Sequence, residues 1–392
     1  MFNKKISILG STGSIGVSTL DIIRRHPDRF EVVALAAGSN TRMLLNQVKE
    51  FNPKIVSVLS KKEADELQGT LPRGVKLLFG PEGIQEAACC SAADIVVSAV
   101  VGAAGLVPTL KAIEAGKNIA LANKESMVIA GKIMSEKARQ HNVQILPVDS
   151  EHSAIFQSLK GESLEDVHHL VLTASGGPFL NTPLSDFNSI TRAQALKHPN
   201  WTMGPKITID SATMMNKGLE VLEASWLFHI PADRIRVVIH PQSVIHSMVE
   251  FIDGSVICQM GEPDMRAPIA YALSYPRRIA TGVKRLCFSE RDKLTFFAPD
   301  PEKFKCLAMA FKTAEQGKSY APVLNAANEV AVEHFLSNRI SFVDISAVIE
   351  ACLEAHDPFE LDTLEAVLYA DQWARVYARE LISRSLLKKR SA

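Results

Sequence analysis

The stretch Lys5-Ile6-Ser7-Ile8-Leu9-Gly10-Ser11-Thr12-Gly13-Ser14-Ile15-Gly16 decides the fold. An apolar run of strand length breaks into a glycine-bearing turn, and an amphipathic helical pattern then holds from Ser14 to His26. Glycines in such a turn let the main chain bend sharply and approach a pyrophosphate, whose charge sits on the amides exposed at the helix start. A glycine pattern alone says little. Its place after a strand, before a helix and at the head of an α/β succession makes it a dinucleotide cradle.

The succession continues outward from that turn. Strand-like runs cover Lys5–Leu9, Glu31–Ala36, Lys54–Leu59, Asp94–Val101, Asn118–Leu121 and Val143–Val148, with helical patterns such as Ser14–His26 and Met43–Phe51 between them. Runs that are apolar throughout and alternate with helices predict a parallel sheet covered on both faces, a doubly wound Rossmann-like domain over 1–149. Beyond it, strands at His168–Ala174, Ile235–Ile239, Val244–Glu250 and Ser255–Met260 mix with helices at Glu151–Leu159 and near Thr213–Phe228. They predict an α+β catalytic domain over 150–275, its hairpin turning at Asp253-Gly254. Residues 276–300 read as a connector. The helical periods Glu302–Glu315, Val323–Leu336, Phe342–Ala355 and Thr363–Leu387 predict a C-terminal bundle over 301–392.

Composition narrows the function. Lys+Arg and Asp+Glu both number 43 in a chain of 392 residues, so no net field favours nucleic acid or an anionic membrane. No apolar run reaches the length of a membrane span. The start Met1-Phe2-Asn3-Lys4-Lys5 enters a strand at once, which leaves no room for a leader and predicts a cytoplasmic protein. The six cysteines form no CxxC pair and read as reduced core thiols.

The end of the second strand selects the dinucleotide. NAD-binding folds place a carboxylate there for the ribose 2′-hydroxyl. Here Ala37-Gly38-Ser39-Asn40-Thr41-Arg42 offers no acid, and Ser39, Asn40 and Arg42 suit a 2′-phosphate. NADPH is expected.

Asp149-Ser150-Glu151 follows the strand Val143–Val148, at the carboxyl edge where open α/β sheets bind ligands. In extended backbone, residues two apart face the same way, so Asp149 and Glu151 can meet one hard cation, Mg²⁺ or Mn²⁺. His152 is expected to point away from that pair and to pack or cap. The loop Lys197–Lys206 exposes His198, Trp201 and Met203 between Pro and Gly, as a lid over substrate would. A solvated acidic strand end and a loop pinned by Trp201 are the plainer readings of each segment taken alone. A helix beginning near Ser211–Thr213 would offer amides to a phosphate, with Lys217 as cation and Asn216 and Glu220 on one face. Ser175-Gly176-Gly177 forms a second anion-accepting turn. Together these describe a phosphate pocket beside a metal.

These blocks resemble the 1-deoxy-D-xylulose 5-phosphate reductoisomerase family. The resemblance is carried by Gly10–Gly16, Leu121-Ala122-Asn123-Lys124-Glu125-Ser126, Val148–His152 and Leu172–Phe179, then by His198–Met203, Met214–Glu220, Ile239–Glu250 and Ala326-Ala327-Asn328-Glu329. It runs through essentially the whole chain in order. It implies NADPH- and metal-dependent rearrangement and reduction of a sugar phosphate to 2-C-methyl-D-erythritol 4-phosphate. It implies Asp149, Glu151 and Glu220 as metal ligands and Lys124 and Ser150 on the substrate's hydroxyls or carbonyl. Ser175, Ser211, Asn216 and Lys217 would hold the phosphate with His198 nearby, under Trp201. Thr12, Gly13, Ser14, Ile15, Gly38, Ser39, Asn40, Asn123 and Glu125 would line the cofactor, with Met203 and Gly204 against its nicotinamide end. Many relatives carry a basic residue where this chain has Ser39, which makes Arg42 the substitute for the 2′-phosphate. The family also implies a homodimer, with the sheet edge at Val244–Met260 as contact surface.

Two other readings compete. A simple NADP-dependent alcohol or semialdehyde dehydrogenase would need neither three carboxylates nor a phosphate pocket. A non-catalytic nucleotide sensor would bind cofactor without metal dependence or turnover.

Overall fold

The computed structural model describes residues 3–391 apart from Thr202 and Asp292, with side chains to residue 384. Met1 and Phe2, where the leader argument began, Thr202 of the 197–206 loop and Asp292 of the connector lie outside the described residues. By their contacts the residues divide into two units. The first is Met1–Ser126, Met134–Ser153 and Asp264–Lys284; the second is Met127–Ile133, Ala154–Pro263 and Arg285–Ala392.

The first unit is built on a seven-stranded sheet. Its strands are β1 (Lys4–Leu9), β2 (Phe30–Ala36), β3 (Ile55–Val58), β4 (Lys76–Phe79), β5 (Ile95–Ser98), β6 (Asn118–Leu121) and β7 (Ile145–Pro147). They lie in the order β4-β3-β2-β1-β5-β6-β7, all parallel. The inner strands are almost wholly buried: Ile6, Ile8, Val33, Leu35, Val96, Val97, Ile119 and Leu121 expose nothing. Burying each such aliphatic chain contributes roughly 1.5–3 kcal/mol. Both faces must therefore be covered, and the helices Ser14–Arg25, Thr41–Phe51 and Arg266–Ser274 belong to this unit. The sequence reading gave six strands; β4 was missed because it is a four-residue edge strand whose side chains are half exposed or exposed.

The second unit carries a mixed sheet in the order β11-β10-β8-β9. β8 (Val167–Ala174) runs parallel to β9 (Ile235–Ile239) and antiparallel to β10 (Ile245–Phe251), which pairs antiparallel with β11 (Val256–Met260). Leu170, Leu172, Val237, Ile239, Val249 and Phe251 pack from one face of this sheet against Met214, Val221, Ala224 and Phe228 of the neighbouring helical segment. β10 is paired on both sides, so of the expected edge at Val244–Met260 only β11 is open.

The C-terminal helices Lys305–Gln316, Tyr320–Leu336, Phe342–Ala355 and Leu364–Ser391 complete this unit. They brace the Met215–Phe228 helix closely. A Cβ on Gly218 would stand 2.5 Å from the Ala310 Cβ, so only glycine permits this approach. Among the described residues no helix is long and apolar enough to cross a membrane.

Candidate active site

In the first unit, four segments open on the carboxyl edge of the parallel sheet. The turn after β1 is held by Gly10 and Ser11 amides donating to the Ala36 carbonyl at 2.8 and 2.9 Å. Gly10 has φ +94°, and a Cβ there would lie 2.4 Å from the Ala99 carbonyl oxygen. A Cβ on Gly16 would lie 2.4 Å from the Gly10 carbonyl oxygen. Both positions therefore require glycine, and Gly13 precedes the first residue of the Ser14–Arg25 helix. Thr12, Gly13, Ser14 and Ile15 are at least partly exposed on that turn, as a pyrophosphate cradle needs.

Gly38, Ser39 and Asn40 follow β2 and are exposed, and Arg42 is exposed on the next helix. Asn40 is partly committed: its Oδ1 accepts from the Met43 amide at 3.1 Å and caps the Thr41–Phe51 helix. Asn123 and Glu125 are buried beside the turn after β6. The Asn123 Nδ2 donates to the carbonyls of Val100 at 2.6 Å and Gly102 at 2.9 Å, and to Glu125 Oε2 at 3.0 Å. Their side chains knit two loops of the sheet edge together and so fix Lys124 between them.

Lys124 is 5% exposed and its Nζ lies 2.5 Å from Asp149 Oδ2. β6 and β7 are neighbours, so their carboxyl ends bring these two residues together. Burial pushes the Asp149 carboxyl up, but the Lys124 ammonium and His152 outweigh it and hold it well below the usual carboxylate range.

Two expectations for this segment are corrected. Asp149-Ser150-Glu151 is not extended: a helix spans Ser150–Ser158, and Asp149 Oδ1 accepts from the Glu151 amide at 3.3 Å. A strand end and a helix start carry the same polar residues, which is why the two readings looked alike. His152 does not point away either. One helical turn from Asp149, its fully buried Nδ1 lies 3.7 Å from Asp149 Oδ1. Asp149 and Glu151 still offer carboxylate oxygens within 4.8 Å of each other, and Ser150 Oγ donates to Glu151 Oε2 at 2.5 Å. An all-oxygen donor pair of this kind suits a hard divalent cation.

In the second unit, the Ser175-Gly176-Gly177 turn after β8 meets Ser211. Gly176 and Gly177 have φ +82° and +65°, and a Cβ on Gly177 would stand 2.7 Å from the Ser211 carbonyl oxygen. Ser211 was expected at a helix start. It lies instead near the end of the Pro205–Ala212 helix, and the next helix begins at Met215. The break falls at Met214, a non-glycine residue at φ +61° that no composition signal announces.

The Met215–Phe228 helix carries Asn216, Lys217 and Glu220 on its first turns. Asn216 Nδ2 donates to Glu220 Oε1 and Lys217 Nζ to Glu220 Oε2, both at 2.5 Å, with Lys217 and Glu220 buried. A buried lysine in a helix's first turn opposes the macrodipole, an arrangement that favours an anion beside it.

His198 sits on the loop facing Ser175. Its Nδ1 accepts the amides of Asn200 at 3.2 Å and Trp201 at 3.0 Å, so the neutral ring carries its proton on Nε2, 3.0 Å from Ser175 Oγ. Burial pushes His198 down to about 4, which keeps it neutral at neutral pH. Ser175 Oγ also accepts the Gly177 amide at 3.2 Å. With two donors already aimed at it, the serine directs its own hydroxyl proton outward, toward an acceptor such as a phosphate oxygen.

Trp201 and Met203 are half-buried on this loop, and Gly204 caps the helix that follows. Asn200 Nδ2 ties the loop to the Pro241 carbonyl at 2.7 Å and to Ser243 Oγ at 2.9 Å.

Two features were not singled out from the residues. Asp210, 1% exposed, pairs with Lys206 at 2.9 Å and accepts from Asn328 Nδ2 at 2.8 Å, 118 positions away. Polar residues inside the apolar period of Ala326-Ala327-Asn328-Glu329 were the available signal. His246, at the start of β10, is lowered by burial to about 4 and also feels the Lys217 charge.

Comparison with known proteins agrees along the whole chain. The model of 1-deoxy-D-xylulose 5-phosphate reductoisomerase matches residues 6–131, and two models of that enzyme's C-terminal domains match 145–228 and 260–377. The reductoisomerase of Chlorobaculum tepidum is 56% identical over 97% of this chain and 100% of its own length. That of Geobacter metallireducens is 57% identical over 97% of the chain and 100% of its length. A solved reductoisomerase in complex with NADPH, fosmidomycin and magnesium is 43% identical, with a TM-score of 0.92 over 98% of this chain and 99% of that one. The Zymomonas mobilis enzyme in complex with NADPH is also 43% identical, with a TM-score of 0.91 over 97% of this chain and 99% of that one.

Proposed function

The chain belongs to the 1-deoxy-D-xylulose 5-phosphate reductoisomerase family, and we propose on that footing how its residues divide the work. It is an NADP-dependent oxidoreductase of isoprenoid precursor biosynthesis. It rearranges and reduces 1-deoxy-D-xylulose 5-phosphate to 2-C-methyl-D-erythritol 4-phosphate, using NADPH and a divalent metal. When bound, the cation supplies Lewis-acid polarisation of the substrate ketone and NADPH supplies the reducing equivalent.

Asp149, Glu151 and Glu220 hold the cation. The observation that carries this is the donor set: two oxygen anions within 4.8 Å on one helix start, free of sulfur ligands, next to a buried ammonium. Lys124 places positive charge where negative charge develops on substrate oxygen, and Ser150 hydrogen-bonds the substrate. Ser175, Ser211, Asn216 and Lys217 bind the phosphate. His198 orients the Ser175 hydroxyl for it, and Trp201 closes over the substrate to exclude water. Met203 and Gly204 border the nicotinamide end.

Thr12 to Ile15 receive the pyrophosphate. Gly38, Ser39 and Asn40 receive the ribose, with Arg42 on its 2′-phosphate, and Asn123 and Glu125 shape the turn beside it. The protein works in the cytoplasm as a homodimer, joined at the open β11 edge, where Val256, Ile257 and Cys258 are exposed.

The test is NADPH oxidation with the deoxyxylulose phosphate, with and without a chelator. Turnover should require metal and substrate together. Oxidation that survives chelation would remove the cation from the mechanism, and none in metal-replete buffer would favour a nucleotide sensor.

A further inference from the structure

Successive side chains of a strand face opposite sides of the sheet, so adjacent histidines cannot ordinarily meet one neighbour. β8 and β10 depart from this at one place. Glu250 stands opposite His169 and Phe251 opposite Val167, which leaves His168 as an extra residue in a bulge. Bulges re-aim side chains. Here His169 Nδ1 lies 3.3 Å and His168 Nδ1 3.7 Å from Glu250 Oε2, and the two Nδ1 atoms are 2.6 Å apart.

Ligand atoms held tetrahedrally at about 2.0–2.1 Å from one zinc ion lie roughly 3.3 Å from each other. The three observed separations bracket that value. The rings need part by less than an ångström for both nitrogens and the carboxylate oxygen to share one ion.

We propose that His168, His169 and Glu250 form a transition-metal site on the four-stranded sheet, taking Zn²⁺ or Cu²⁺ with water completing the shell. Two imidazoles and one carboxylate select such borderline ions over Mg²⁺ and Mn²⁺, which prefer the all-oxygen set of Asp149 and Glu151. The site opens to solvent on one side: the His168 side chain is 52% exposed, while Glu250 is 30% and His169 12% exposed. Arg236 Nη1 lies 3.4 Å from Glu250 Oε2 and opposes an incoming cation. A bound ion would clamp the first turn of β8 to the last residues of β10, beside the Asp253-Gly254 hairpin.

The test uses the untagged full-length protein in excess Mg²⁺, with Cu²⁺ as probe and electron paramagnetic resonance as readout. One Cu²⁺ per chain should show coupling to two imidazole nitrogens, and a large excess of Zn²⁺ should compete for the same site. His168→Ala and His169→Ala should each remove one coupling and weaken binding at least about 100-fold, since even outer-shell changes cost about 10–100-fold. NADPH turnover in Mg²⁺ should stay as in the parent. Arg236→Gln keeps all three ligands and should tighten binding several-fold, whereas Glu220→Gln should leave the copper signal intact. A copper spectrum without nitrogen coupling, coupling that survives both histidine variants, or weaker binding in Arg236→Gln would overturn the proposal.

Discussion

Two lysine–carboxylate pairs, Lys124–Asp149 and Lys217–Glu220, share a 2.5 Å separation and near-complete burial, yet the chain builds them by opposite routes. Lys217 and Glu220 stand three residues apart on one helix, so local periodicity alone makes them meet. Lys124 and Asp149 are 25 positions apart and meet because β6 and β7 are parallel neighbours whose carboxyl ends share an edge. The first kind of pair is legible in the sequence. The second exists only once the sheet has formed. If both kinds supply ligands to one ion, as proposed, the chemistry depends on correct tertiary folding.

The comparison can be broken by removing its acids. Glu220→Gln should lower kcat/KM by on the order of 10³-fold, about 4 kcal/mol of transition-state stabilisation, with the fold intact by circular dichroism. Steady-state turnover at the parent's level would remove Glu220 from the site.

It can be sharpened by removing the lysines. Lys124→Met leaves Asp149 buried without its ammonium and should cost about 3–5 kcal/mol in denaturant unfolding. Lys217→Met should cost less, because Glu220 keeps the Asn216 amide as a donor at 2.5 Å, whereas the contacts left to Asp149, the Glu151 amide at 3.3 Å and His152 Nδ1 at 3.7 Å, are longer. Equal losses in the two melts would mean that the route of assembly does not matter.

On the functional side, Lys217→Ala should raise KM about 10–100-fold with a smaller change in kcat, as expected when a charged hydrogen bond to a phosphate worth about 1.5–3 kcal/mol is lost. A normal KM would move the phosphate elsewhere. The smallest effect belongs to the cofactor end. Arg42→Ala should weaken NADPH several-fold and NADH hardly at all, a difference expected of an exposed charge contact. Equal effects on the two cofactors in a fluorescence titration would dismiss the 2′-phosphate role.

What the residues disclosed follows the same division. The Gly10–Gly16 turn and the inner strands were readable because continuous apolar runs and sterically required glycines are local signals. The spacing of Asn216 and Glu220 was readable for the same reason. Asp149 was read as extended because a helix cap and a strand end use the same acids. His152 was misdirected with it, since its approach to Asp149 needs the helical turn. Ser211 was misplaced because the helix break at Met214 comes from a left-handed methionine, with no glycine or proline to mark it. The tautomer of His198 depends on main-chain amides at Asn200 and Trp201, and the Asn328–Asp210 bond spans 118 positions. The first leaves no trace in local pattern, and the second leaves only polar residues inside an apolar helical period, which do not name their partner.

The central claim is that carboxylates supplied by both routes serve one ion. Anomalous diffraction from crystals of the Mn²⁺-loaded protein tests it directly. The account predicts a manganese peak with oxygen ligands from Asp149, Glu151 and Glu220 together. A peak bounded by Asp149 and Glu151 while Glu220 stays on Lys217, or one at some other group of acids, would contradict it.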